Sequence, residues 1–431
     1  MNLCHRLKGG NVKRLTKGLD AEQLDLFGST IKAYLKNPDG ELTNSQLYSA
    51  VGSAVGTDPD AASHHQPVGK SGAVRNLFHR QIRWYQQTLK SMGILERVND
   101  KRGVWRLSDK AQKELLPVRR TVKVLGFSTE LGVALWSHAE DGFENLDQEV
   151  MLCFTSSPYP LSSPRAYGNV RVEDFVDFIC ESLKPVIERL SDEGSLVLNL
   201  SNDIFLSKSP GRSTYLERVM LALEDRMGLT LMDRIPWINP SKPPGPTRWA
   251  SITRQQLNVS WEPILWFAKN PLKVKSDNRR VLVPHTERHA RLIAQGGESR
   301  TTDYGDGAYR LRAGSFSNPT AGAIPKNVIN RSHRCAWGDQ YKRYAEANGL
   351  PSHGAGMPYS IAEFFIALLT DVGDLVADPF GGRIMTGRAA ESLGRRWWVT
   401  ERMLQYVAGG AGLFRDAKGF EANPVLSLAS R

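Results

Sequence analysis

Beyond Pro117 the 431-residue chain alternates short apolar runs with amphipathic stretches, and that alternation admits few folds. Segments 150–154, 195–200, 229–235, 262–267, 375–377 and 397–400 read as strands. Segments 173–190, 215–227, 360–370 and 386–393 read as helices between them. Buried strands separated by helices predict an α/β domain with a mixed, mostly parallel sheet flanked by helices. Residues 236–351 interrupt the pattern, being irregular and rich in Pro, Gly, Trp and Arg. Pro117-Val118-Arg119-Arg120 reads as a linker, which divides the chain into residues 1–120 and 121–431.

Residues 1–30 read as a poorly anchored arm running into a helix. Thr43 is placed to cap a helix over Asn44–Val55. A second helix over 74–92 carries Leu77, Ile82, Tyr85 and Leu89 on one stripe and stops at Gly93. Strands 94–97 and 104–107, joined by a basic turn, complete a pattern that resembles a winged helix. That resemblance implies that Arg75, Arg80 and Arg83 enter a DNA groove while Lys101 and Arg102 touch phosphates. The plain alternative is a small interaction domain that touches no DNA. Charge favours a polyanion: residues 1–120 carry +9 of the net +11. No apolar run nears the roughly 20 residues of a membrane helix, and the N-terminus lacks the apolar centre of a secretory signal. Cys4, Cys153, Cys180 and Cys335 are scattered without a C-x-x-C pair, so neither a zinc site nor a disulfide framework is expected, and a reducing, cytoplasmic setting is.

Two motifs follow strands and carry chemistry. Thr155-Ser156-Ser157-Pro158-Tyr159-Pro160 comes after segment 150–154, and Asp378-Pro379-Phe380-Gly381-Gly382 after 375–377. Carboxyl ends of strands are where open α/β sheets bind ligands. The pair resembles the DNA amino-methyltransferases, with a [D/N/S]-P-P-[Y/F/W] catalytic motif and a D-P-F-x-G-x-G cofactor motif. Their order resembles the circularly permuted β class, in which the target-recognition region, here about 236–351, lies between the two. Segments 164–169, 199–203, 261–263 and 353–358 further resemble phage- and prophage-type site-specific enzymes.

The resemblance implies a Rossmann-like fold that binds S-adenosyl-L-methionine and acts on double-stranded DNA, with no metal. An exocyclic amine is a poor nucleophile because its lone pair is delocalised into the ring. Acceptors that pull on its hydrogens favour a pyramidal nitrogen and stabilise the positive charge of attack. Ser156 matches the side-chain acceptor, the Ser157 carbonyl the backbone acceptor, and Tyr159 the ring that stacks on a flipped base. Thr155, Asp378, Pro379, Phe380, Gly381, Gly382 and Thr386 match the cofactor loop, Glu401 the ribose acceptor, and Met357 and Pro358 the segment over the methionine tail. In the basic, aromatic region Lys242, Arg248 and Arg254 are read as DNA contacts, with Trp261 and Trp266 as core. The β class also brings a homodimer and a cognate restriction nuclease into view.

Two positions depart from the pattern. Ser157 stands where the motif has its first proline, and Ile384 where it has its second glycine. A β-branched residue is poorly suited if position 384 needs φ > 0. Serine at the head of the motif points to cytosine N4, with adenine N6 as the alternative. A DNA-binding protein that has lost the cofactor is the alternative from another class.

Overall fold

The computed structural model describes residues 21–37, 41–56, 65–68, 73–98, 101–108, 115–144, 146–161, 170–305, 307 and 309–429. The expected arm over 1–20, Cys4, and residues 164–169 of the resemblance lie outside the described residues, as do residues 99 and 100 of the expected turn.

The N-terminal part comprises α1 (Ala21–Lys36), β1 (Glu41–Thr43), α2 (Asn44–Val55), β2 (His65–Val68), β3 (Ala73–Asn76), α3 (Leu77–Ser91), β4 (Leu95–Arg97) and β5 (Val104–Leu107). Strands β1, β5 and β4 form one small antiparallel sheet. Thr43 caps α2 as expected: its Oγ1 accepts from Gln46 N at 3.2 Å, and Gln46 Oε1 accepts from Thr43 N at 2.9 Å. Two expectations are corrected. Segment 73–76 pairs with β2, and Asn76 caps α3 by accepting from His79 N at 2.8 Å. Arg75 therefore lies on a strand, not on the helix with Arg80 and Arg83. Nor is residue 30 part of a loose arm. Leu26, Phe27, Ile31 and Tyr34 of α1 are buried, Phe27 sits edge-on to Tyr85, and Tyr34 Oη accepts from Gln86 Nε2 at 2.8 Å.

The larger part runs β6 (Lys123–Ser128), β7 (Gly132–Ser137), α4 (Ala139–Phe143), β8 (Val150–Ser156), α5 (Phe175–Glu188), β9 (Leu190–Asn199), α6 (Tyr215–Asp225), β10 (Thr230–Ile238), β11 (Trp261–Ala268), α7 (Glu287–Ala294), β12 (Thr302–Tyr304), β13 (Tyr309–Leu311), β14 (Ile329–Asn330), α8 (Ala336–Ala347), α9 (Tyr359–Leu369), β15 (Leu375–Asp378), α10 (Met385–Ser392), β16 (Arg396–Glu401), α11 (Leu404–Ala411) and β17 (Glu421–Ala422). One sheet orders its strands β14-β10-β11-β9-β8-β15-β16-β7-β6-β17. Its centre, β9 through β7, is parallel, and the flanking pairings β9/β11, β11/β10, β7/β6 and β6/β17 are antiparallel.

This is the mixed α/β sheet expected, entered by the chain through β6 and β7 near one edge before it crosses to β8 at the centre. The hairpin β6–β7, absent from the sequence expectation, closes the side beyond β16. Both faces are covered, as Trp397 and Trp398 show. These neighbours on β16 point to opposite sides and are each under 2% exposed, Trp397 toward α10 and Phe414, Trp398 toward α4 and Phe143. The apolar cluster on the Trp397 face is continuous with the N-terminal core through Leu116, Val118 and the C-terminal turn Pro424–Leu428, against which α1 packs.

The interval 236–351 is more regular than its composition suggested, since β10, β11 and β14 belong to the main sheet. Trp261 is corrected from core to surface, being 37% exposed at the start of β11, whereas Trp266 is half-buried and donates Nε1–H to Ser195 Oγ at 3.0 Å. Anchoring of α1 has a measurable consequence. Replacing Phe27 by Ala removes a ring 3% exposed and should cost about 3–5 kcal/mol. A lower urea midpoint for unfolding of the N-terminal part is expected, and an unchanged one would mean that α1 is not part of the core.

Candidate active site

Strands β8 and β15 lie side by side in register, Leu152 opposite Val376 and Cys153 opposite Ala377. Their C-terminal ends deliver the two motifs to one place although more than two hundred residues separate them. Thr155 Oγ1 donates to Asp378 Oδ1 at 2.6 Å across this seam, and Phe380 N donates to the same oxygen at 3.0 Å. Thr386 completes the set of donors. Burial raises the Asp378 carboxyl above its usual range, and these donors oppose that.

A cavity of about 280 Å³ opens over the seam. Ser156 to Tyr159, His353 to Met357, Asp378 to Arg383, Thr386 and Glu401 all line it. Every expected cofactor residue lines it except Thr155, which holds Asp378 from below, and Pro358, which is buried at the start of α9. The turn after β15 is tight. Gly381 N donates to Thr400 O at 2.8 Å, and a Cβ on Gly381 would collide with Val399. Gly382 N donates to Glu401 Oε2 at 2.8 Å and Met403 N to Oε1 at 2.7 Å. Burial nevertheless lifts the Glu401 carboxyl from 4.5 to about 7.

The two departures from the motif have distinct structural outcomes. Ile384 does adopt the left-handed conformation, φ 58° and ψ 31°, so the strain foreseen from the sequence is present. Its side chain is wholly buried, in space left by Gly410 and Gly387, where a Cβ would meet Ile384. Burial of the side chain offsets a backbone cost of about 1–2 kcal/mol. Ser157 is 3% exposed, and its Oγ has no hydrogen-bond partner among the described residues.

On the catalytic side, sequence reasoning missed two residues, Asn199 and Glu262. Tyr159 Oη donates to Asn199 Oδ1 at 2.7 Å and lies 3.0 Å from Ser156 Oγ, which is itself 3.2 Å from Asn199 Oδ1. Glu262 Oε2 lies 3.5 Å from Tyr159 Oη, and its Oε1 is paired with Lys242 Nζ at 3.1 Å. Asn199 at the end of β9 and Glu262 on β11 stood within segments of the resemblance, but their chemistry is visible only once β9 and β11 pair. Lys242 is thus drawn inward to Glu262, away from the exposed position expected of a DNA contact.

Arg248 and Arg254 are exposed, the former with its guanidinium over Trp249 at 4.9 Å. Arg75, Arg80, Arg83 and Arg102 are also exposed, and Lys101 is exposed and paired with Glu41 at 3.0 Å. None of these lines the cavity. Among the described residues no group of His, Cys, Asp and Glu could hold a metal ion, and no helix is long and apolar enough to cross a membrane.

Comparison with known proteins follows the same division of the chain. A family model described as DNA methylase matches residues 150–411, and one described as the Mrr N-terminal domain matches 26–116. The chain is 33% identical over 270 residues to the type II methyltransferase M.PvuII of Proteus hauseri, over 63% of this chain and 79% of that protein. Among solved structures it is similar to the PvuII DNA methyltransferase (cytosine-N4-specific), with 26% identity and a TM-score of 0.54 over 70% of this chain and 95% of that one.

The raised Glu401 carboxyl sets a pH dependence. The folded protein keeps a proton that the unfolded chain releases between about pH 4.5 and 7. The resulting contribution is fully present below that window and lost as pH rises through it, by about 3 kcal/mol in all. Unfolding free energy should therefore fall more between pH 5 and 8 in the ligand-free wild type than in Glu401→Gln. Equal falls would contradict the buried, raised carboxyl.

Proposed function

The chain belongs to the DNA methylase family, and on that premise we propose that it transfers a methyl group from S-adenosyl-L-methionine to the N4 amino group of cytosine at a specific site in double-stranded DNA. The observation that carries this reading is a single cavity shared by Ser156 and Glu401. The cavity's chemistry fits the cofactor. A buried carboxylate held by two backbone N–H groups keeps lone pairs for ribose hydroxyls, and the Gly381–Gly382 turn brings backbone close to the ligand. Bound there, S-adenosylmethionine would supply an electrophilic methyl group on a sulfonium.

The chain's own residues supply the rest. Tyr159 gives its one hydroxyl hydrogen to Asn199, so the Ser156 hydroxyl hydrogen points to Asn199 or Tyr159 and its lone pairs are left to accept from an amine. The Ser157 carbonyl is the second acceptor, and together they favour a pyramidal, more nucleophilic nitrogen. Anchored through its hydroxyl, the Tyr159 ring can serve as the platform for an extruded base. The Lys242–Glu262 pair stands behind this network and holds it at the cavity wall. Serine at the head of the motif and likeness to a cytosine-N4-specific enzyme both favour cytosine over adenine.

In this reading residues 121–431 form the methyltransferase domain, with recognition residues in about 236–351. Residues 1–120 form a winged-helix-like unit that grips DNA through Arg75, Arg80, Arg83, Lys101 and Arg102, and Arg248 and Arg254 add phosphate contacts. The family resemblance supports a homodimer, a paired restriction nuclease and action on cytoplasmic DNA.

Nucleoside mass spectrometry of plasmid DNA from cells expressing the protein tests the reading. N4-methylcytosine is expected with the wild type and at least a hundredfold less with Ser156→Ala, in line with loss of one preorganised acceptor. N6-methyladenine instead would overturn the base, and neither product from folded protein would favour the binding-only alternative.

A further inference from the structure

Among the described residues Arg383 is the one buried arginine or lysine at the cavity, and its partners are incomplete. It follows Gly382 in the turn beneath the cavity, lines the cavity and is 8% exposed. Its Nε and Nη2 both donate to a single oxygen, His353 O, at 3.1 and 2.6 Å. Its guanidinium lies 5.4 Å from the Tyr341 ring centroid. No carboxylate among the described residues pairs with it, and no hydrogen bond is made by its Nη1 among them. Arg395 gives the contrast. It is equally buried, but its three nitrogens are taken by Thr370 Oγ1, Leu393 O and Thr370 O, and it stands away from the cavity. Arg395 is a completed structural contact, and Arg383 is not.

A buried charge is costly unless an opposite charge and hydrogen bonds compensate it. The surroundings keep room at Arg383. A Cβ on Gly356 would come within 2.6 Å of the guanidinium carbon, and one on Gly338 within 3.5 Å of Nη1. Gly338 belongs to the first turn of α8, where Asp339 attracts the guanidinium without forming an ion pair with it among the described residues. The arginine also fastens His353, at the head of the 353–357 segment that lines the cavity and contains Met357, the residue matched to the methionine tail. The charge, the cavity and this segment thus converge on an anionic oxygen group small enough to enter.

We propose that Arg383 binds the α-carboxylate of S-adenosylmethionine through its guanidinium while it holds the 353–357 segment at the amino-acid end of the cofactor. This rests on the methyltransferase reading above. No bond is made or broken in this step; the residue supplies charge and position.

The test compares equilibrium binding of S-adenosylmethionine and of its decarboxylated analogue to the full-length protein, by calorimetry, without turnover. Wild type should bind the decarboxylated analogue about tenfold or more weakly than S-adenosylmethionine, in line with loss of a charge-assisted hydrogen bond. Arg383→Met, similar in bulk, should bind the two ligands nearly alike, with the loss confined to the carboxylate-bearing one, and Arg383→Lys should recover part of the preference. The preference is a ratio within one protein, so a change in stability does not imitate it; a thermal melt confirms that each variant is folded. If Arg383→Met keeps the wild-type preference, the proposal is wrong while the methyltransferase reading stands. If it keeps that preference but loses affinity for duplex DNA, the arginine serves a phosphate and the proposal is likewise wrong. If wild type binds neither ligand, both readings fail together.

Discussion

A 2.6 Å hydrogen bond between Thr155 Oγ1 and Asp378 Oδ1 joins the two halves of the chain's chemistry. It can form because β8 and β15 are neighbours in a parallel sheet and leave their carboxyl ends together. Around it, the acceptor Ser156 follows one strand and the glycine turn follows the other. The sheet has little freedom here, since β8, β15 and β16 are almost wholly buried. Any ligand in the cavity therefore meets both motifs at once.

Burial gives the site its electrostatic character. Asp378 and Glu401 sit where charge is disfavoured, so their oxygens are occupied by backbone N–H groups and hydroxyls, and each still lines the cavity. Arg383 faces the same penalty with both of its hydrogen bonds directed at one oxygen. Ile384 shows a different accommodation. The turn keeps its left-handed residue without glycine because Gly387 and Gly410 open space for the branched side chain. The departure from the cofactor motif is thus matched by the space around it, and the turn still holds Glu401 through Gly382 N.

Much of the centre was legible in the sequence. Strands ending in turn motifs are local signals, and so were the capped helix after Thr43 and the strand-end positions of Ser156, Asp378 and Glu401, which converge on one cavity. What stayed hidden depends on contacts between distant segments. Asn199 and Glu262 gain meaning only when β9 and β11 pair and bring them, 40 and 103 residues along the chain from Tyr159, to its hydroxyl. Lys242 looked like a phosphate contact because a lone lysine in loop-like sequence usually faces solvent, but Glu262 stands beside it in the fold. Arg75 was misplaced because its stretch has helical periodicity, and only pairing with β2 and the Asn76 cap move the boundary. The anchoring of α1 was invisible because its partners, Tyr85, Gln86 and the C-terminal turn, are remote in sequence.

The seam itself can be tested by replacing Thr155 with Val, which keeps the shape and removes the donor to Asp378. The measurement is single-turnover methyl transfer to duplex DNA at saturating S-adenosylmethionine, alongside the cofactor dissociation constant. An account in which this bond aligns the two motifs predicts weaker cofactor binding and a rate lowered about tenfold or more, since small misplacements of reacting groups are costly. Wild-type values for both would contradict it, and would mean that the two motifs are aligned by the sheet alone.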